Sequence, residues 1–473
     1  YGVGNLGDMY VNGTETPNPY SAFASGSTIG QELDLDNGTF RHYVNGVVQP
    51  YVTESLDTSL TWFASGSVYG SSHLTYNFGQ KPFKFPPPDG FQPLNAANIR
   101  PETVIARPDQ FVGVTTYTGN QTARVLSTEF APDFVWTKRR DDSNSHQLYD
   151  SVRGDDKILQ SDGTGAEDSV SNSASFAETK GINIGSGTRS NENSVSYVAW
   201  SWKAGGNKGV FNVDDVGYAS AAAAGLTGGS ITPTGSSVGT KQGFSIIKYT
   251  GNQTDGATVS HGLGKIPHLI IVKSITDGTY EWGTLNVTPG TSTGFSGGNL
   301  NNTETVLDLS NGSRRAQSWH AAPTSSVFSL GADGSSYTGT YNNNQAYIAY
   351  VWCDVPGLQK FGSYKGNNDD DGVFVELGFR PSIVVIKRAD NTDDWFWYDG
   401  TRRPINVNSR YLRPNQSAVE NPGDGSGTGL DLLSNGFKAR SDSSAINNTE
   451  TYVYAAWAEA PTVNLYGGQS NAR

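Results

Sequence analysis

Apolar residues along this chain gather in short runs separated by Gly-, Ser-, Thr- and Asn-rich stretches, and several of the runs recur. Tyr197-Val198-Ala199-Trp200-Ser201-Trp202, Tyr347-Ile348-Ala349-Tyr350-Val351-Trp352 and Tyr452-Val453-Tyr454-Ala455-Ala456-Trp457 are versions of one phrase. Each closes a segment that a matching phrase opens: Tyr117-Thr118-Gly119-Asn120, Tyr249-Thr250-Gly251-Asn252 and Tyr364-Lys365-Gly366-Asn367. Between opening and closing phrases every segment carries a largely apolar run bounded by Pro and Lys, at Pro132–Lys138, Pro267–Lys273 and Pro381–Lys387. Runs this short and apolar predict strands buried on both faces, with Pro at the start where no ladder donor is lost. Recurrence in one order predicts an array made by duplication, which presents surface more readily than it encloses an active site.

Outside the repeats the pattern changes. Leu33-Asp34-Leu35-Asp36-Asn37-Gly38-Thr39-Phe40 alternates about an Asn-Gly pair and runs into His42-Tyr43-Val44-Asn45-Gly46, which predicts hairpins. A last strand is expected over Leu74–Phe78, before Gly79-Gln80-Lys81-Pro82-Phe83. Pro86-Pro87-Pro88 then stiffens the chain. The resulting organisation is a first sandwich over 1–92, a Pro-rich linker over 93–110 and a first repeat over 111–204. A Gly/Ala/Ser/Thr-rich connector occupies 205–243, a second repeat 244–354, and a third repeat with a C-terminal tail 355–473. The connector reads as a flexible tether or as an extended arm along a neighbouring subunit. The fold class is all-β: tandem β-sandwich modules of the jelly-roll or concanavalin-like kind.

Composition sharpens this picture in three ways. Aromatics make up 11% of 473 residues and charged residues only 16%, which excludes a disordered chain and suits short strands joined by Gly- and Asn-containing turns. The net charge of −12, with few and scattered Lys and Arg, provides no basic stripe for nucleic acid. A single Cys353, inside the second closing strand, allows no internal disulfide and reads as a small buried apolar residue. No stretch is apolar enough to span a membrane, and no signal peptide is evident. The chain starts at Tyr1 without Met, so a processed product or a missing N-terminal part is expected.

Candidate chemistry is sparse. Trp202, Trp352 and Trp457 end apolar strands and read as core. Trp282 and Trp395 each follow a polar loop, so they are the candidate platforms for stacking a sugar ring, against the alternative of an aromatic cross-strand pair. Asp150 with Arg153, and Asp399 with Arg402, recur in repeats one and three and read as loop braces; repeat two has no such pair at Leu285-Asn286-Val287. Lys138, Lys273 and Lys387 are expected to snorkel from buried strands toward an acid. Asn367-Asn368-Asp369-Asp370-Asp371-Gly372 is dense in oxygen ligands and makes Asp369 and Asp371 weak calcium candidates. The glutamate that would complete such a loop is missing, because Phe379-Arg380-Pro381 stands there. No Gly-x-Ser-x-Gly elbow, His-Glu-x-x-His pair or phosphate-binding Gly-Lys-Ser/Thr loop occurs, so neither an enzyme nor a cofactor is expected.

Two resemblances add to this reading. Residues 1–92 resemble the second half of a SPRY domain, a β-sandwich used for binding, through the LDLDNGTF, YVNG and YNFGQKPF phrases in that order. The repeats resemble an uncharacterised domain of virion proteins of tailed bacteriophages, notably marine ones. That likeness rests on His146–Gly154, Phe211–Tyr218, Val259–Pro267, Pro356-Gly357, Phe361–Tyr364 and Leu433–Lys438. It implies a virion appendage, a tail fibre or receptor-contacting protein on the particle surface, that binds host-surface glycan or another receptor non-covalently. Other virion proteins are the implied partners, and a homo-oligomer, commonly a trimer in tail fibres, is the implied assembly. A capsid-decorating or head-fibre protein is the alternative, and a polysaccharide depolymerase the lesser one. No catalytic residues come with either resemblance.

Overall fold

The recurring phrases pair with one another in the same register three times. In the computed structural model, the opening strands Val112–Thr118, Phe244–Thr250 and Gln359–Lys365 lie antiparallel to the closing strands Ser196–Trp202, Ala346–Trp352 and Thr451–Pro461. Tyr117 faces Tyr197, Tyr249 faces Tyr347 and Tyr364 faces Tyr452, and each pair stacks with ring centroids 5.1–5.2 Å apart. On its other edge each closing strand bonds the Pro–Lys strand, Phe134–Arg139, Leu269–Ser274 or Phe379–Arg388. A fourth strand completes each sheet: Gln147–Asp150, Gly283–Asn286 or Trp395–Asp399. The order opening–closing–Pro/Lys–fourth is therefore common to three modules.

The structure describes residues 2–3, 9–11, 14–16, 21–34, 37–53, 56, 73–88, 91–94, 104–176, 180–279, 282–286, 295–296, 299–300, 306–308, 321–331, 342–389, 393–422 and 427–461. Its architecture is all-β, and among these residues the helices are single turns, Pro108–Gln110 and Thr188–Asn191. No helix among them is long and apolar enough to cross a membrane. Two compact units, Tyr1–Glu102 and Thr103–Arg473, divide inside the expected linker.

A second, smaller sheet covers one face of each four-stranded sheet. It comprises Arg124–Leu126, Ala174–Phe176 and Ile182–Ile184 in module one, and Ala257–Ser260 with Val327–Leu330 in module two. In module three Phe374–Glu376, Leu430–Leu433 and Gly436–Ala439 supply it. Because successive strand residues point to opposite faces, the closing strands of modules one and three divide their side chains between two cores. Ala199 packs with Leu126, Tyr149 and Ile184 inside module one, and Tyr452, Tyr454 and Ala456 pack with Leu430 and Phe437 inside module three. The alternate residues, Val198, Trp200 and Trp202 or Val453, Ala455 and Trp457, enter a core that all three modules share.

That shared core turns the expected array into a closed ring of modules. The three closing tryptophans meet edge to face: Trp202–Trp352 at 6.4 Å and 71°, Trp202–Trp457 at 5.4 Å and 66°, Trp352–Trp457 at 6.0 Å and 72°. Their indole N–H groups find no oxygen or nitrogen partner, and edge-to-face packing is the arrangement that sets a ring's positive edge against a neighbour's electron-rich face. Around this triad, Phe134 lies 4.4 Å from Tyr350 and Trp200 stacks at 4.3 Å on Trp397. One chain thus builds a pseudo-threefold assembly from three sequential copies.

Polar joints follow the same rotation. Trp200 of module one donates its indole N–H to Asp399 of module three at 3.0 Å, and Tyr350 of module two donates its hydroxyl to Asp150 of module one at 2.7 Å. The backbone N–H of Glu420 reaches Arg140 O at 2.9 Å, as that of Glu167 reaches Ile275 O at 2.8 Å. The third joint differs: Ala455 stands where the others have Trp200 and Tyr350, and Asn286 where they have Asp399 and Asp150. The aromatic donor and the carboxylate are both replaced there, and Asn286, Val453 and Ala455 line a cavity of about 40 Å³ in the shared core, together with Trp202, Trp352 and Trp457.

The connector is neither a tether nor an arm along another subunit. Gly235–Gly239 adds antiparallel to the opening strand Phe244–Thr250, Phe211–Val213 adds parallel to it, and Val216–Tyr218 ends the row. Buried Ala221, Leu226, Ile231 and Val238 anchor this segment, so its small-residue composition serves close packing.

In the first unit Ile29–Asp34, Thr39–Val44 and Val47–Thr53 form an antiparallel meander with Leu33 opposite Phe40, as the Asn-Gly pattern predicts. Gly38, Asn45 and Gly46 adopt the positive φ values (65°, 52° and 82°) that such tight turns need. The expected strand at Leu74–Phe78 does not form. Side chains there take up backbone groups instead, with Gln80 accepting from Phe78 N at 2.6 Å and donating to Tyr76 O at 2.7 Å. The C-terminal tail after Pro461 lies outside the described residues.

Candidate functional site

The repeated opening phrase ends in a tip whose geometry recurs in all three modules. Gly119, Gly251 and Gly366 are buried, and a Cβ on any of them would collide with a backbone carbonyl oxygen, that of Glu192, Asn343 or Asn448. Their N–H groups donate to Val195 O, Gln345 O and Glu450 O at 2.8, 3.1 and 2.9 Å. The chain then turns outward through an exposed Asn120, Asn252 or Asn367. Next comes a non-glycine residue in the left-handed region: Gln121 (φ 55°), Gln253 (φ 59°) or Asn368 (φ 54°). Such a conformation is costly outside glycine and persists only where surrounding structure dictates it.

A buried asparagine from the loop before each closing strand dictates it. Asn191, Asn342 and Asn447 have no exposed surface. Their Oδ1 atoms accept from Asn120 N, Asn252 N and Asn367 N at 3.0, 2.8 and 3.2 Å. Their Nδ2 groups donate to Thr122 O, Thr254 O and Asp369 O at 2.9, 2.6 and 2.8 Å. Each tip is thus pinned from both sides while Gln121-Thr122, Gln253-Thr254 and Asn368-Asp369-Asp370 face solvent. Sequence reasoning passed over these asparagines; aligning the loops at Asn191-Glu192-Asn193, Asn342-Asn343-Asn344 and Asn447-Asn448-Thr449 against the closing phrases would have exposed them.

The other candidates fall elsewhere. Trp282 is fully buried and Trp395 nearly so, which corrects their assignment as exposed sugar platforms. Trp282 donates its indole N–H to Gln160 O of module one at 2.9 Å, and Trp395 packs in the shared core. The polar loop before each residue suggested a surface, but the neighbouring module covers it. Asp371 is no free calcium ligand: Lys438 and Arg440 approach at 2.7 and 2.8 Å and hold its carboxyl below the usual carboxylate range. Asp369 Oδ1 accepts Asp371 N at 2.8 Å, and no cluster of three or more metal-ligating side chains occurs among the described residues.

The recurrent lysines meet backbone carbonyls at the ends of their strands. Lys138, Lys273 and Lys387 are buried and donate to backbone carbonyls, those of Arg139, Ser274 and Arg388, at 2.7, 3.1 and 2.6 Å. Burial draws the Lys138 and Lys273 ammonium groups down to about 8. Asp150–Arg153 and Asp399–Arg402 are braces with no exposed side-chain surface, and each arginine also donates to a strand carbonyl, Leu148 O or Trp397 O, at 2.8 Å. Cys353 is buried and its thiol is pushed up to about 12, as an inert apolar residue requires.

The chain belongs to a family described only as a domain of unknown function, DUF7483, which matches residues 107–461. That one match takes in all three modules together with the connector. No solved structure matches the chain.

Proposed function

We propose that this protein is a non-catalytic attachment protein on the surface of a tailed-phage particle, a tail fibre or receptor-contacting appendage that holds host-surface glycan through its module tips. The observation that carries the reading is the threefold recurrence of one strained, doubly pinned tip with exposed polar side chains, amide and hydroxyl in two copies and amide and carboxylate in the third. Backbone strain maintained by dedicated buried partners is typical of ligand-contacting loops. Ser, Thr, Asn and Gln side chains exchange hydrogen bonds with sugar hydroxyls readily. Three such contacts on one rigid body gain avidity without any one being tight.

A second reading, a decoration protein of the capsid, draws support from the pseudo-threefold core, since a body of that symmetry suits a threefold position on a shell. The connector, which could have served such a protein as an arm, is already taken up in module two. A glycan array probed with the full chain tests the first reading. Binding that is lost when Gln121, Gln253 and Asn368 are all changed to glycine supports attachment, while an array with no signal, together with shell density in a particle reconstruction, favours decoration. Release of reducing ends from a bound polysaccharide would indicate a depolymerase instead.

A further inference from the structure

A groove of about 850 Å³ opens beside the first module, away from the tips. Its floor is apolar, formed by Ile105, Phe111 and Phe130. Its rim is cationic: Arg107, Lys180, Lys203 and Lys241 stand around it, with Glu129 as the one acid of the lining among the described residues. In a chain with a net charge of −12, four of its 33 Lys and Arg are gathered around one concavity. These cations come from four separate stretches of sequence, so only the fold brings them together.

The cations are engaged, but weakly. Arg107 holds both carboxylate oxygens of Asp109 at 2.9 and 2.6 Å, Lys180 pairs with Glu129 at 3.3 Å and Lys203 with Asp215 at 2.6 Å, each with an acid at least 41% exposed. Lys241 lies over the Phe111 ring, 5.7 Å from its centroid. Exposed lysine–carboxylate pairs contribute about 0–1 kcal/mol each, so exchanging the acid for a ligand anion costs little. Lysines act as point charges toward carboxylate or sulfate, while the Arg107 fork is held by Asp109. The apolar floor suits the C–H face of a sugar ring, and a volume of this size accommodates several rings.

We infer that this groove binds an anionic polysaccharide, one carrying carboxylate or sulfate groups along its chain. The site is separate from the tips and does not depend on their role. A duplex nucleic acid is disfavoured, because four cations confined to one concavity in an acidic body cannot track a phosphate backbone.

The test uses the full chain with dextran sulfate, polygalacturonate and uncharged dextran as probes, with affinities measured at low and moderate salt. Lys180→Gln/Lys241→Gln removes two exposed cations of the rim, and Lys157→Gln/Lys265→Gln removes two cations that do not line the groove. Expected are binding of at least one charged probe and none of uncharged dextran, a loss of about tenfold in the rim variant, equivalent to about 1.4 kcal/mol, and no change in the control. Equal losses in both variants, no loss in the rim variant, or no binding of either charged probe would overturn the inference. Competition by poly-glutamate as strong as that by dextran sulfate would overturn it too, and would point to an acidic protein segment. Array binding that needs the tips but not the rim, or the reverse, separates this site from the attachment reading.

Discussion

Asp150 and Asp399 hold more of this structure together than their number suggests. Each accepts from its own arginine, from that arginine's backbone N–H and from an aromatic donor of another module. Asp399→Asn leaves Arg402 buried with Glu420 as its remaining acid, so a loss of about 3–5 kcal/mol is expected from urea unfolding. Tyr350→Phe removes one hydrogen bond to a carboxylate that Arg153 still pairs, so about 1.5–3 kcal/mol is expected. Protonation adds a second check. Lys138 and Lys273 sit near 8 when folded and at 10.5 when free, so in that window the unfolded chain binds more protons and stability rises with pH. Tyr117, Tyr350 and Tyr364 are pushed by burial well above 10.0, so the unfolded chain loses those protons first and stability falls again. On the acid side burial takes His261 down to about 4, and stability drops as pH falls below 6.5. Unfolding midpoints from pH 4 to 11 should therefore peak on the alkaline side, at about pH 9–10, and a flat profile there would contradict the buried-lysine assignment. The Asp–Arg braces were legible in sequence because acid and base stand three residues apart. Their aromatic donors were not, because they come from other modules.

At the level of elements, the strand assignments were legible because three copies repeat the same short apolar runs, and one register then serves all three. Their burial on both faces was legible too. What covers the outer face was not, since an apolar side chain looks the same in sequence whether it enters its own sandwich or a neighbour's. The failures at Trp282 and Trp395 share this origin. The connector misled for another reason: Gly, Ala, Ser and Thr read as flexible, yet here they let a strand pack closely beside Phe244–Thr250. The tips give the prediction proper to this scale. Asn447→Ala removes the bonds that pin Asn367 and Asp369, so hydrogen exchange at Gly366–Asp371 should rise while the strands of modules one and two stay protected. Unchanged exchange at that tip would show that Asn447 does not pin it.

For the molecule as a whole, a shared core implies shared unfolding. Trp457 belongs to module three but packs against Trp202 and Trp352, so Trp457→Ala should cost about 3–5 kcal/mol. In calorimetry it should move a single transition of residues 103–473 rather than split off one module; separate module transitions would mean that the aromatic core does not couple the three. The ring closes within one polypeptide, and this bears on what such a body can recognise. A true trimer writes every substitution three times, so its three faces stay identical and meet only partners that are threefold themselves. Here one joint already carries Ala455 and Asn286, and one tip carries Asn368-Asp369-Asp370 where its siblings carry Gln-Thr. Within one chain each third of the ring is free to differ, so under the attachment reading proposed above the tips offer unlike contacts at fixed spacing, which suits a partner that has no symmetry at all.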